Sequence, residues 1–174
     1  MKKKILKWFI YSIIVLILFI LGINSFKKIN EKKIVKENIQ KFHDFCIFTV
    51  GGNHELCTKL LPTQPIIILF IHPECDSCHE EVKQLKEYQT EFQNISILLV
   101  TSASLQQAID FYSNQNLSLF DNIKLCLDED FKISDHFGIN TIPSVFLYNQ
   151  DKELIFKHKG EIKIETLISY LSEI

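Results

Sequence analysis

Two cysteines with the spacing of a redox pair are the clearest chemical feature of the sequence. Cys75 and Cys78 enclose two residues and come directly after an apolar run at residues 66–72. The segment that follows has helical spacing, so Cys75 lies at the start of a predicted helix. Unpaired N–H groups and the positive end of the helix dipole stabilise a thiolate there. We therefore predict Cys75 as the attacking sulfur and Cys78, one turn later on the apolar face, as the resolving thiol.

Charged side chains beside this motif act in opposite directions. Glu74 and Asp76 disfavour a thiolate on Cys75, whereas His72 and His79 favour it when they are protonated. The sequence therefore leaves the reduction potential and the direction of electron flow open.

A proline far along the chain is the second notable feature. Pro143 follows Ile142 and enters an apolar strand predicted at residues 144–148. Because proline removes a hydrogen-bond donor from a sheet, this position indicates an unusual turn, for which a cis peptide bond is one solution.

The sequence indicates the roles of the other three cysteines less clearly. A hairpin that turns at Gly51-Gly52 places Cys46 opposite Cys57. Counting outward from a two-residue loop makes this a hydrogen-bonded pair, whose Cα separation suits a relaxed disulfide poorly. A second disulfide between them is a hypothesis that a count of free thiols can test. Cys126, inside an apolar strand, is expected to be a buried core thiol.

Strands alternate with helices around these residues, which is typical of an α/β sheet covered by helices. After the hairpin, the predicted strands are residues 66–72, 95–100, 123–127, 144–148 and 153–157, and the predicted helices are residues 75–92, 105–114, 129–137 and 164–171. In the first helix, the apolar face is assigned to Cys78, Val82, Leu85 and Phe92, and the opposite face to Glu80, Glu81, Lys83 and Glu87.

An uncharged apolar run at residues 8–26 is long enough to cross a bilayer as a helix. A cleaved signal peptide is the alternative, but the apolar stretch is longer than is usual for one. The sequence thus predicts a cytoplasmic tail at 1–7, a transmembrane anchor at 8–26, a lysine-rich spacer at 27–41 and a folded domain at 42–174. Lysines flank both ends of the run, so the orientation rests on the short N-terminal tail, which places the domain in a compartment that permits disulfides.

Composition narrows the classes of function. The chain has 174 residues, enough for one domain of ordinary size, and all 19 of its basic residues are lysine. No mechanism that needs an arginine side chain can therefore operate within it. Residues 42–174 carry a net charge of −10, which makes nucleic acid a poor candidate partner.

The order of a buried strand ending in Cys75-Asp-Ser-Cys78, a Thr-Ile-Pro143 segment before a later strand, and a closing helix resembles the thioredoxin fold. The short first hairpin and the stretch around Cys75 look most like TlpA-like or redoxin-type thioredoxins tethered to bacterial membranes. The resemblance implies that Cys75 is the nucleophile and Cys78 the resolving cysteine. It also implies that Pro143 is a cis-proline packed against them, with the backbone of Ile142 pairing to an extended substrate segment.

Two positions depart from the family pattern. The buried acid that thioredoxins place six residues before the first cysteine falls on Leu69, so the usual proton acceptor for Cys78 is missing or replaced. The dipeptide between the cysteines, Asp76-Ser77, matches neither thioredoxin nor the strong oxidants of the fold.

Three other activities compete with this interpretation. Residues 75–79 also spell C-x-x-C-H, the attachment motif of c-type haem, and two thiolates with a histidine suit copper. The chain could therefore be a haem or copper carrier. A peroxiredoxin-like peroxidase is the weakest alternative, since His72 stands where such a site has Thr or Ser and arginine is absent.

The leading interpretation is a thiol–disulfide oxidoreductase with no cofactor and no metal, held in the inner membrane by one span. We expect its domain to face the periplasm or the outside and to reduce disulfides of envelope proteins. It would then need electrons from a membrane thiol donor.

Overall fold

The computed structural model of the chain describes Leu16, residues 19–23, Lys33, residues 35–52 and residues 54–172. The chain divides into two units, Met1–Glu37 and Asn38–Ile174. In the first unit the described residues are helical, and the side chains of Lys33 and Glu37 lie 4.0 Å apart.

Within the described part of the chain, no helix has the length and hydropathy that a membrane crossing requires. The predicted anchor at residues 8–26 lies outside the described residues, except for Leu16 and residues 19–23. The predicted tail at residues 1–7 lies wholly outside them.

The second unit is built on a seven-stranded mixed sheet. The strands are β1 (Cys46–Val50), β2 (His54–Cys57), β3 (Ile66–Phe70), β4 (Ser96–Thr101), β5 (Ile123–Leu127), β6 (Ser144–Tyr148) and β7 (Leu154–Lys159). Their order in the sheet is β2-β1-β5-β4-β3-β6-β7. The pairs β3–β4 and β4–β5 are parallel and the remaining pairs are antiparallel.

Helices cover this sheet, as the alternating pattern predicts. They are α1 (Asp76–Glu87), α2 (Gln89–Phe92), α3 (Leu105–Asn114), α4 (Lys132–Phe137) and α5 (Ile164–Leu171), with short 3-10 turns at Thr58–Leu60 and Leu117–Leu119. The thioredoxin-like α/β fold expected from the resemblance is confirmed for this unit.

The core lies on both faces of the central strands. Every residue of β3 is buried, because α1, α3 and α5 pack on one face and aromatic side chains pack on the other. On that second face Phe70 meets Phe137 at a ring-centroid distance of 5.3 Å, and Phe137 meets Phe146 at 4.9 Å. Burial on both faces explains why β3 is a continuous apolar run and does not alternate.

The compact unit begins four residues before the predicted domain start, because the end of the spacer packs onto it. Ile39 is buried, and its carbonyl accepts a hydrogen bond of 2.9 Å from the Tyr148 hydroxyl. Phe42 N donates to Lys152 O at 2.8 Å, which joins this segment to the turn between β6 and β7.

Two predicted helices have different bounds in the structure. The helix predicted over residues 75–92 ends at Glu87, and α2 continues after Tyr88, whose ψ of 30° interrupts the first helix. The helix predicted from residue 129 begins at Lys132, because Phe131 has a φ of 57° and Asp128 accepts hydrogen bonds from backbone N–H groups of the first turn.

Candidate functional site

Cys75 is the N-cap residue of α1 and is joined to Cys78 by a disulfide. The Cα atoms are 5.2 Å apart, and Sγ of Cys75 accepts a hydrogen bond of 3.2 Å from the backbone N–H of Cys78. Cys75 is partly exposed, whereas Cys78 is fully buried beneath it. The exposed sulfur therefore has both the access and the helix-terminal donor that a nucleophilic thiolate needs.

The sheet brings Pro143 to the same end of β3. Strands β3 and β6 pair with Phe70 opposite Ser144, so Pro143 lies beside the chain as it leaves β3 toward Cys75. The Ile142–Pro143 peptide bond is cis, Pro143 is buried, and Ile142 is 41% exposed. The predicted substrate-binding residues, Ile142 and Pro143, thus lie beside the end of β3 from which the chain leads to the cysteines.

Glu81 is the functional residue that sequence reasoning placed wrongly. It was predicted on the solvent face of α1, but only 5% of its surface is exposed. Residues 78, 81, 82 and 85 follow the spacing i, i+3, i+4, i+7, so Glu81 shares the buried face with Cys78. Its carboxylate accepts a hydrogen bond of 2.9 Å from Ile162 N, and burial raises its pKa from 4.5 to about 7.

Glu81 also lies in the region where the family pattern has a buried acid and this chain has Leu69. Leu69, which stands at that position, lines the same small cavity as Glu81 together with Ile162 and Leu167. A carboxyl group that titrates near neutral pH is therefore supplied from α1, one turn beyond Cys78. The signal in the sequence was the i+3 spacing from Cys78.

His79 completes the C-x-x-C-H motif, but neither nitrogen of its ring is available to coordinate a metal ion. Both nitrogens are engaged, Nε2 with the carbonyl of Pro73 at 2.6 Å and Nδ1 with the Gln115 amide at 2.8 Å. Ligation of haem iron or copper would break one of these hydrogen bonds. The residues therefore fit the carrier alternatives poorly.

Cys46 and Cys57 face each other across the first hairpin and form a second disulfide. The observed register matches the predicted one, but the prediction that Cys46 and Cys57 form a hydrogen-bonded pair is wrong. Thr58 N donates to Phe45 O at 2.9 Å, so residues 45 and 58 are a hydrogen-bonded pair and the next pair, Cys46 and Cys57, is not. Side chains of such a pair approach closely, and the Cα separation here is 3.9 Å.

Cys126 is fully buried in β5, as expected for a core thiol. Burial raises the pKa of this thiol to about 12, so it is unreactive at neutral pH.

The pairing of the cysteines predicts the number of thiols that a reagent can reach. Unfolded, non-reduced protein should release one thiol per chain, from Cys126. Mild reduction before unfolding should raise the count to three, because the helix start makes Cys75 a better leaving group than the hairpin cysteines, and full reduction should give five. Mass spectrometry after alkylation checks each step. A count of three in untreated protein, with Cys46 and Cys57 alkylated, would contradict the hairpin disulfide.

Solved structures resemble this fold at low sequence identity. A secreted disulfide oxidoreductase of Mycobacterium tuberculosis, homologous to DsbE of E. coli, has a TM-score of 0.65 and 18% identity over 79% of this chain and 98% of that chain. StoA from Bacillus subtilis has a TM-score of 0.59 and 22% identity over 74% and 96%. Peroxidoxin BcpB from Mycobacterium tuberculosis has a TM-score of 0.66 and 14% identity over 77% and 95%.

These likenesses are evidence for the fold. A comparison with curated protein sequences gave no match. The sequence model of the AhpC/TSA family, in contrast, matches residues 39–157, which include both disulfides, Glu81 and the cis-proline. This match extends over well more than half of the sequence and supports thiol–disulfide oxidoreductase activity. The chain therefore belongs to the AhpC/TSA family.

Proposed function

We propose that this protein is a membrane-anchored thiol–disulfide oxidoreductase that reduces disulfides of envelope proteins. One observation carries the proposal: the partly exposed Cys75 sulfur lies at the start of α1, accepts the Cys78 N–H, and is bonded to a buried partner. This arrangement provides an accessible nucleophile and a protected resolving thiol in one helical turn.

The reaction starts from the dithiol form. The Cys75 thiolate attacks one sulfur of a substrate disulfide, and the other substrate sulfur leaves as a thiolate and takes up a proton. Cys78 then loses its proton and attacks Sγ of Cys75, which forms the Cys75–Cys78 disulfide and releases the second substrate thiol. Two electrons pass from the protein to the substrate, and a membrane thiol donor must return them.

Glu81 is assigned as the proton acceptor for Cys78. It lies one turn further along the same face of α1, and its raised pKa of about 7 allows it to gain and lose a proton near neutral pH. The hydrogen bond from Ile162 N holds the carboxylate in place.

Ile142 and Pro143 are assigned to substrate binding. Beside Ile142 the surface forms a depression of about 190 Å³. Its lining is mixed: apolar side chains that include Ile71, Phe131 and Ile139 lie beside the polar residues Ser102, Ser134, Asn140 and Thr141. Phe131 and Ile142 both stay largely exposed. An extended polypeptide with an apolar side chain next to its cysteine suits this surface.

The predicted anchor at residues 8–26 would hold the domain at the membrane, with the tail at residues 1–7 in the cytoplasm. The hairpin disulfide supports a domain on the far side, because disulfides persist in the periplasm or outside the cell and are rare in the cytosol. Fractionation tests this part. The full chain should stay in the membrane after alkaline extraction, and a chain released into the soluble fraction would contradict the anchor.

The reduction potential tests the direction of electron flow. The full chain in detergent is equilibrated with dithiothreitol or glutathione buffers, and the Cys75–Cys78 state is read by alkylation. A value of about −270 mV identifies a reductase that needs an electron donor. A value of about −120 mV identifies an oxidant and would contradict the proposed direction of electron flow. An absorbance spectrum of the same sample distinguishes a reductase or an oxidant from a haem carrier, which would show a Soret band.

A further inference from the structure

The imidazole of His79 links three separate parts of the molecule. It belongs to α1, it bonds the loop before Cys75 through Pro73 O at 2.6 Å, and it bonds the end of α3 through Gln115 at 2.8 Å. The ring also packs on Phe111 of α3 at a centroid distance of 4.9 Å. Because His79 directly follows Cys78 in the chain, these contacts lie next to the redox pair.

The hydrogen bonds allow only one assignment of donors. A carbonyl cannot donate, so Nε2 of His79 donates to Pro73 O. Nδ1 must then accept from the Gln115 amide. That amide is held in its orientation by Lys86, whose ammonium donates to Gln115 Oε1 at 2.7 Å and to Gln115 O at 2.9 Å. The imidazole is therefore the neutral Nε2–H tautomer.

The Pro73 carbonyl belongs to the short loop that presents Cys75. Within the loop, Cys75 N donates to His72 O at 3.0 Å and Glu74 N donates to His72 Nδ1 at 3.2 Å. Cys75 O also accepts hydrogen bonds from Cys78 N at 3.0 Å and from His79 N at 3.1 Å, which belong to the first turn of α1. Two contacts tie the loop to α3: Glu74 accepts from Gln107 at 2.9 Å, and His79 links Pro73 to Gln115. Gln107 and Glu74 form an exposed contact, so the partly buried His79 link is the more protected of the two.

We propose that His79 is a positioning residue for the nucleophile: as the Nε2–H tautomer it fixes the Pro73 carbonyl and so holds Cys75 at the start of α1. The role rests on the proposed function of Cys75. In this position Sγ of Cys75 accepts the Cys78 N–H, which stabilises the thiolate. Without the hydrogen bond from His79 to Pro73 O, the loop moves more freely and the Cys75 thiolate loses part of that stabilisation.

The tautomer is measured first, on the wild-type full chain in detergent. Long-range 15N–1H correlation spectra distinguish the two ring nitrogens, and we expect a protonated Nε2 and an unprotonated Nδ1 at pH 7. An Nδ1–H tautomer or a doubly protonated ring at that pH would overturn the proposal, and this result does not depend on any variant being folded.

Variants then test the effect on Cys75. In the reduced full chain, His79→Leu should slow alkylation of Cys75 at pH 7 by about tenfold, the size expected for one partly buried hydrogen bond. His79→Gln, whose amide can still donate to the Pro73 carbonyl, should restore the rate to within about threefold. The control is His158→Leu, since His158 is an exposed residue of β7 whose ring hydrogen-bonds to Glu161 O and not to the loop before Cys75.

A structural role alone would not separate these variants. If His79→Leu alkylates at the rate of the His158→Leu control, or if His79→Gln is as slow as His79→Leu, the positioning role is overturned. Alkylation and the tautomer need no protein substrate. A wild-type chain that fails to reduce any disulfide would therefore contradict the proposed function without deciding the role of His79.

Discussion

Replacing Cys75 with serine should lower the rate of insulin disulfide reduction by at least about a thousandfold, because a serine hydroxyl is not ionised at neutral pH and cannot form a mixed disulfide. Cys78 cannot take over the attack, since it is completely buried behind Cys75. The measurement is the reduction of insulin by the full chain in detergent with dithiothreitol as the electron source, corrected for the rate with dithiothreitol alone.

Cys126→Ser provides the matched control, since it also removes one sulfur from the same domain. Cys126 is buried in β5 and its thiol has a pKa raised to about 12, so it should contribute nothing to exchange. We expect this variant to keep the wild-type rate. Cys75→Ser activity equal to that of Cys126→Ser would contradict the assigned nucleophile.

Cys78→Ser separates attack from resolution. This variant keeps the nucleophile and loses the thiol that resolves the mixed disulfide. When it is reduced, freed of dithiothreitol and mixed with insulin, it should accumulate a covalent complex with insulin chains, which added dithiothreitol then cleaves. The two single variants therefore fail at different steps, which distinguishes an exchange mechanism from simple loss of folding.

The positions of the strands and of the redox pair were accessible from the sequence because they depend on short-range patterns. The uninterrupted apolar run of β3 reflects burial on both faces, and the C-x-x-C motif directly follows it. The register of the first hairpin also followed from the sequence, since Cys46 does lie opposite Cys57. Each of these features is set by residues within about a dozen positions of one another.

What the sequence did not reveal depends on contacts between distant segments. The partners of His79 include Gln115, which is 36 positions away, and the hydrogen bond that holds Glu81 comes from Ile162, 81 positions away. A charged residue such as Glu81 is assigned to solvent by default, because burying an unpaired carboxylate is costly. Only the fold shows that a backbone N–H meets it.

The buried carboxyl group of Glu81 should make the protein less stable as the pH rises from about 4.5 to 7. Below pH 4.5 the group is protonated in both the folded and the unfolded chain. Between its ordinary pKa of 4.5 and its folded pKa of about 7, the unfolded chain releases the proton while the folded chain retains it. Each pH unit in this range lowers the free energy of unfolding by about 1.4 kcal/mol, or about 3 kcal/mol in total.

Glu81→Gln isolates this effect, because glutamine keeps an oxygen that can accept the Ile162 N–H but does not titrate. Urea unfolding of the oxidised full chain in detergent, followed by circular dichroism, gives the free energy of unfolding of both proteins from pH 4 to 8. The variant and the wild type should be about equally stable near pH 4, and the variant should be more stable by about 3 kcal/mol near pH 8. Since all other titrating groups are shared, a difference that stays constant over this range would show that Glu81 does not titrate as a buried acid. Its assignment as the proton acceptor for Cys78 would then fall with it, because a carboxyl group ionised throughout this range is too weak a base to take the thiol proton near neutral pH.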